Sequence, residues 1–110
     1  MTNAARHRAA LVLAGTVLAA PATAALQPHT LDAGGAHTCA IVAAGAVRCW
    51  GMNKSGEIGD GTTAERLAPT PVVSLPGQAV AVAAGGSHSC ALMDTGEVWC
   101  WGDNSSGQLG

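Results

Sequence analysis

Hydrophobic positions fall into two regimes along the chain. Ala9–Ala20 (AALVLAGTVLAA) is an unbroken uncharged run, whereas beyond Thr38 the apolar residues come in groups of four or five between glycine-bearing turns. Thr38–Val42 and Ala46–Trp50 flank Ala43-Ala44-Gly45, and Ser89–Met93 and Glu97–Trp101 flank Asp94-Thr95-Gly96. Short apolar runs bounded by glycine turns predict strands, and a three-residue loop ending in glycine predicts a hairpin. Further strands are expected at Val72–Leu75 and Ala79–Ala83, separated by the turn dipeptide Pro76-Gly77. Gly59 to Pro71 reads as a connecting loop, and no helix is expected beyond the first 24 residues. The pattern is all-β.

The second hairpin is a copy of the first. Gly34-Gly35-Ala36-His37-Thr38-Cys39-Ala40 returns as Gly85-Gly86-Ser87-His88-Ser89-Cys90-Ala91, a step of 51 residues. Cys49-Trp50-Gly51-Met52-Asn53-Lys54-Ser55-Gly56 returns as Cys100-Trp101-Gly102-Asp103-Asn104-Ser105-Ser106-Gly107. A period of this size marks a solenoid or propeller, in which one repeat cannot bury its faces alone. The hairpin register sets Cys39 opposite Cys49 and Cys90 opposite Cys100, with Ile41 facing Val47 and Leu92 facing Val98 on the same side. The other side carries Ala40, Arg48 and Trp50 in the first copy and Ala91, Trp99 and Trp101 in the second. Both sides are largely apolar, as befits strands packed between neighbours.

Residues 1–24 read as an export signal: Arg6, His7 and Arg8 precede the apolar run, Pro21 breaks it, and Ala22-Thr23-Ala24 supplies a small-residue cleavage box. The run falls short of the roughly 20 residues that cross a bilayer. The expected organisation is therefore a signal over 1–24 and repeats over 25–110, the first about 26–71 and the second about 72–110. The expected destination is secreted or periplasmic, with no membrane association once the signal is removed. After removal three bases (Arg48, Lys54, Arg66) face all seven acids. That acidic balance offers no footprint for nucleic acid.

The motif Gly-Gly-x-His-x-Cys-Ala, a glycine turn, then Val-x-Cys-Trp-Gly-x-Asn-x-x-Gly resembles the regulator of chromosome condensation repeat. The resemblance covers Gln27 to Gly110, and flanking cysteines with an export signal resemble a bacterial exported branch. It implies four-stranded blades of a β-propeller, here about one and a half to two, because the second copy ends at Gly107-Gln108-Leu109-Gly110 inside its own motif. The expectation is a fragment of a longer protein, or a small domain that assembles with copies of itself. A further implication is binding of protein partners, including a guanine-nucleotide-exchange-like role; that role needs a cytosolic or nuclear address, the opposite of the one read here.

Opposed residues on antiparallel strands bring Cα atoms about 4.5–5.5 Å apart, within disulfide range, and export favours oxidation. Disulfides Cys39–Cys49 and Cys90–Cys100 are expected. The competing reading is metal or redox chemistry: His37, Cys39 and Cys49, with His88, Cys90 and Cys100, give one nitrogen and two sulfurs per copy, against the four ligands zinc prefers. Recurrence of His37 and His88 argues for framework, with the imidazole fixing its Gly-Gly corner, rather than catalysis. No Gly-x-Ser-x-Gly elbow or phosphate-binding glycine loop is present, so neither enzyme activity nor a cofactor is expected. Asn53 and Asn104 fit the glycosylation pattern but also a turn role. Partner-contact candidates are positions that differ between copies: Ala43, Ala44, Met52, Lys54, Asp94, Thr95, Asp103 and Ser105, with Trp99, which replaces Arg48. A partner protein, further blades or self-association would be the binding event.

Overall fold

Where the pattern places a glycine-ended loop, the chain turns back on itself. The computed structural model describes residues 30–110; the expected signal over 1–24 lies outside the described residues. Seven strands follow: β1 Leu31–Ala33, β2 His37–Ile41, β3 Val47–Gly51, β4 Arg66–Pro71, β5 Ala79–Ala84, β6 His88–Met93 and β7 Val98–Gly102. They form two antiparallel sheets, β1-β2-β3-β4 and β5-β6-β7. In both hairpins the register is the expected one, with Cys39 opposite Cys49, Ile41 opposite Val47, Cys90 opposite Cys100 and Leu92 opposite Val98. Gly45 (φ 75°) and Gly96 (φ 95°) close the two turns in the left-handed region that a Cβ disfavours. Ala43–Gly45 forms a single 3-10 turn, the one helical element among the described residues.

Because strand residues alternate between faces, His37, Cys39, Ile41, Val47 and Cys49 share one side of the first sheet. This side, the cysteine face, packs against the tryptophan face of the second sheet, which carries Ser89, Ala91, Met93, Trp99 and Trp101. The buried cluster spans both sheets: Cys39, Val47, Cys49, Ile58, Ala79, Val82, Ala91 and Met93, with Trp99 and Trp101 packed against it. The sheets meet at the two Gly-Gly corners. The Gly35 N–H donates to the Gly85 carbonyl at 3.0 Å, and a Cβ on Gly35 would meet the Gly86 carbonyl oxygen. Side chains are excluded from that corner by distance.

Two expectations about the connecting segment are corrected. Arg66–Pro71, inside the stretch read as a loop, is strand β4. Val72 donates to the Val47 carbonyl at 3.0 Å, so by alternation Pro71 points its missing N–H away from β3, where an edge strand tolerates proline. Val72–Leu75, read as a strand, is irregular: Val73 donates instead to the Gly59 carbonyl at 2.9 Å and Ser74 adopts a positive φ of 69°. Val72 and Leu75 still pack against the core. Strand β1 lacked a recognisable pattern because Asp32 interrupts it.

The loop from β3 to β4 is held by Asn53, which is 1% exposed. Its Oδ1 accepts from the Ile58 N–H at 2.9 Å, and its Nδ2 donates to the carbonyls of Thr62 at 3.0 Å and Ala64 at 2.9 Å. Such burial suits the turn role. Asp60 accepts from the Thr62 hydroxyl at 2.7 Å and from Arg66 Nε at 2.6 Å. The hydroxyl first, then the Thr62 N–H and the guanidinium, hold its pKa down to about 2 against burial. This loop delivers Ile58, fully buried, into the core. Ile58→Ala is expected to lower stability by about 2–5 kcal/mol in urea unfolding monitored by tryptophan fluorescence.

Candidate functional site

One hydrogen-bond relay crosses the seam between the sheets. His37 Nε2 and Ser89 Oγ are 2.8 Å apart, and the Ser89 hydroxyl donates to the Glu57 carbonyl at 2.8 Å. A hydroxyl has one hydrogen, and the carbonyl takes it, so Ser89 must accept from His37. Nε2 of the imidazole is thereby protonated, and its buried Nδ1 has no partner among the described residues. The same Glu57 carbonyl accepts from the Trp101 indole N–H at 2.8 Å. Below the relay the Asp32 carboxylate accepts the Ala84 N–H at 2.7 Å. The imidazole of His37 thus spans the seam; it is the His37 backbone carbonyl, accepting from Gly34 N–H at 2.7 Å, that closes the Gly-Gly corner. Asp32 and the Glu57 carbonyl escaped sequence reasoning, since neither belongs to the repeated motif: Ala83 and Gln108 stand at the corresponding positions.

His37 is 3% exposed. Burial pushes its pKa below 6.5, outweighing the opposing pull of Glu57, of the His88 backbone and of Asp32. Its Nε2 hydrogen is committed to the seam through Ser89. The cysteines stand at the expected places. Cys39 and Cys49 Sγ lie at disulfide distance, 2.10 Å, with Cα atoms 4.1 Å apart; Cys90 and Cys100 repeat this at 2.06 Å and 4.0 Å. Cys39 and Cys49 are fully buried between the sheets.

The positions that differ between copies do not form one patch. β3 and β7 separate them into two ends. At one end lie the exposed hairpin tips Ala43, Ala44, Asp94 and Thr95; at the other lie Met52, Lys54, Asp103 and Ser105. The tips are linked by Gln78, unremarked in the sequence. Its side chain lies against Gly45, and its carbonyl accepts from the Asp94 N–H at 2.8 Å. At the far end Asp103 is spent on its own loop, accepting from Ser105 N–H at 3.1 Å, Ser105 Oγ at 3.0 Å and Gln108 Nε2 at 3.0 Å. These bonds, Ser105 foremost, lower its pKa. Lys54 is exposed. Trp99 is half-buried against the core, its indole donating to Glu97 Oε1 at 3.2 Å, so it packs more than it presents.

Comparison with known proteins places this geometry. The family model described as the regulator of chromosome condensation (RCC1) repeat matches residues 29–57 and 79–108, and a second of the same description matches 44–92. The chain is similar to mouse RCC1 domain-containing protein 1, 41% identical over 90 residues, covering 81% of this chain and 24% of that one. It is also similar to mouse Protein RCC2, 41% identical over 76 residues, covering 68% and 15%. Among solved structures, human WBSCR16 superposes with a TM-score of 0.64 at 30% identity, covering 73% of this chain and 22% of that one. Prp20p of Saccharomyces cerevisiae, described with its binding to Gsp1p and histones, superposes at 0.63 with 26% identity, covering 73% and 19%. The chain thus spans about a quarter or less of each.

The lowered His37 pKa fixes a sign. Below the unfolded value of 6.5 the unfolded chain takes up a proton that the folded chain refuses, so stability falls as pH drops from about 6.5 and is full above it. Thermal melts between pH 7.5 and 5 should show this decline, and His37→Gln should flatten part of it.

Proposed function

The chain belongs to the regulator of chromosome condensation repeat family, and from that premise we propose that it is a non-enzymatic, exported module that binds another protein. The observation that carries this reading is the division of labour between repeated and differing residues. His37, Ser89, Asn53 and the cysteines are turned inward or consumed by the framework. Ala43, Ala44, Asp94 and Thr95, which differ between copies, are left exposed at one end. A repeated frame cannot encode a unique partner, while loops that differ can. Protein binding also agrees with what Prp20p is described as doing. Further copies of the 51-residue unit would complete the propeller around this module.

The export part of the reading rests on the order of basic start, apolar run and cleavage box in residues 1–24. It disfavours the nucleotide-exchange role, which needs an intracellular address. The sulfurs standing in pairs favour disulfides over the metal reading, since a bridged sulfur has no thiolate to offer zinc.

Two measurements test these parts. Intact mass spectrometry of the chain recovered from the medium or periplasm should give the mass of a polypeptide starting at Ala25, less about four hydrogens, with no metal retained. Free thiols with bound zinc would reverse the sulfur assignment. For binding, a partner purified on the intact chain should lose affinity at least ten-fold toward the triple variant Gln78→Ala, Asp94→Ala, Thr95→Ala, whose melting temperature should stay within a few degrees of the parent. Undiminished affinity would move the contact away from the hairpin tips.

A further inference from the structure

We propose that protonation of His37 promotes opening of the seam between the two sheets while each sheet stays whole, so that the seam is an acid-operated hinge. Acid melts report how much stability is lost; the geometry says where the chain gives way.

Polar contacts across the seam gather at one ring. His37 Nε2 donates to the Ser89 hydroxyl, which passes its own hydrogen to the Glu57 carbonyl, where the Trp101 indole also ends. Beside the ring the Gly35 N–H meets the Gly85 carbonyl. His37 Cε1 packs so near Gly34 that a Cβ there would stand 2.8 Å from it. Acid adds a proton at Nδ1, the buried atom that has no hydrogen-bond partner among the described residues. A buried charge requires a partner or water, and in this crowded corner water reaches Nδ1 only when the sheets part.

The groups around the ring do not rescue the charge. The Glu57 carboxylate, the His88 backbone and Asp32 attract an imidazolium and the His88 ring repels it, and burial outweighs the attraction. Both carboxylates are already engaged, Glu57 Oε1 by the Ser55 N–H and Asp32 Oδ2 by the Ala84 N–H, each at 2.7 Å. Strands β5 and β7 carry no acid or base. Arg48 on β3 lies opposite Ala40, on the other side of the sheet from His37.

Covalent structure decides what survives opening. Cys39–Cys49 ties β2 to β3 and Cys90–Cys100 ties β6 to β7, so each bridge clasps one sheet and neither joins the two. Among the described residues the chain crosses between the sheets once, through residues 72–78. That strap is irregular, with positive φ at Ser74 (69°) and Gly77 (107°). Opening uncovers the apolar core that lies between the sheets, which keeps it rare at neutral pH. Hydrogen bonds inside the hairpins, such as Val42 N–H to the Ala46 carbonyl and Met93 N–H to the Glu97 carbonyl, need not break. Such sub-global opening is read by hydrogen exchange.

The test follows exchange in the full chain by nuclear magnetic resonance at pH 7.5 and pH 5, as protection factors, which remove the intrinsic pH dependence. The seam reporters, Gly35 N–H and the Trp101 indole N–H, should lose protection about ten-fold at pH 5. The hairpin reporters, Val42 and Met93 N–H, should change less than about two-fold. His37→Gln keeps an amide donor for Ser89 without a titrating ring, so its seam protection should be equal at both pH values. Seam and hairpin reporters that lose protection together would overturn the proposal, since the whole chain then unfolds at once. So would seam protection unchanged by acid in the wild type, or lowered equally in His37→Gln. The wild-type comparison decides by itself if the variant does not fold. None of these outcomes bears on the hairpin-tip contact, which uses Gln78, Asp94 and Thr95.

Discussion

A single hydroxyl hydrogen orders the seam. Ser89 gives it to the Glu57 carbonyl, which already receives the Trp101 indole. From that commitment follow the direction of the His37 bond, the proton on its Nε2 and the position of the loop carrying Glu57 and Ile58. The relay needs the sheets close enough for a side chain on one to reach a side chain on the other. Closeness is granted by the glycine corner, where backbone meets backbone. Buried polar groups are costly unless satisfied, and a satisfied network fixes one arrangement of its members. Two apolar faces could slide over each other; two faces joined by this relay cannot.

The same logic explains what the sequence disclosed and what it withheld. Cysteine spacing and the glycine turns report interactions between residues close in the chain, so the hairpins and the Cys39–Cys49 and Cys90–Cys100 registers were legible. The seam joins residues some fifty positions apart, as in His37 to Ser89, with |i−j| of 52. Periodicity announces that repeats pack but not which atoms meet. In sequence His37 therefore looks like a local corner-former, and Gln78, one repeat from Gln27, carries no sign of its contact with the hairpin tips. Strand β4 was missed for a different reason. Proline argues against a central strand, and an edge strand suspends that argument on its solvent side.

Signals of function run opposite to signals of fold here. In the first copy whatever recurs is spent on the frame, His37 and Gly35 on the seam, Cys39 and Cys49 within the sheet and Asn53 on its loop, so the residues that look most chemical are the least available. Lys54 and Ser105, picked for differing between copies, sit at the end of the strands away from Asp94 and Thr95, and variability alone could not reveal that separation. It took the course of β3 and β7 to divide one roster of candidates into two surfaces, with Asp103 withdrawn into its own loop.

Where the copies differ inside the frame, the differences have a direction. Asp32 and Trp99 both serve the seam between the two sheets, and their counterparts Ala83 and Arg48 both lie on the faces turned away from it. A charged guanidinium on an otherwise apolar face costs desolvation when that face is covered, unless a partner meets it. Anything that covers this face must either supply a group for Arg48 or leave it room to reach water. That requirement sets apart the surfaces able to follow the first sheet from those that merely share its shape.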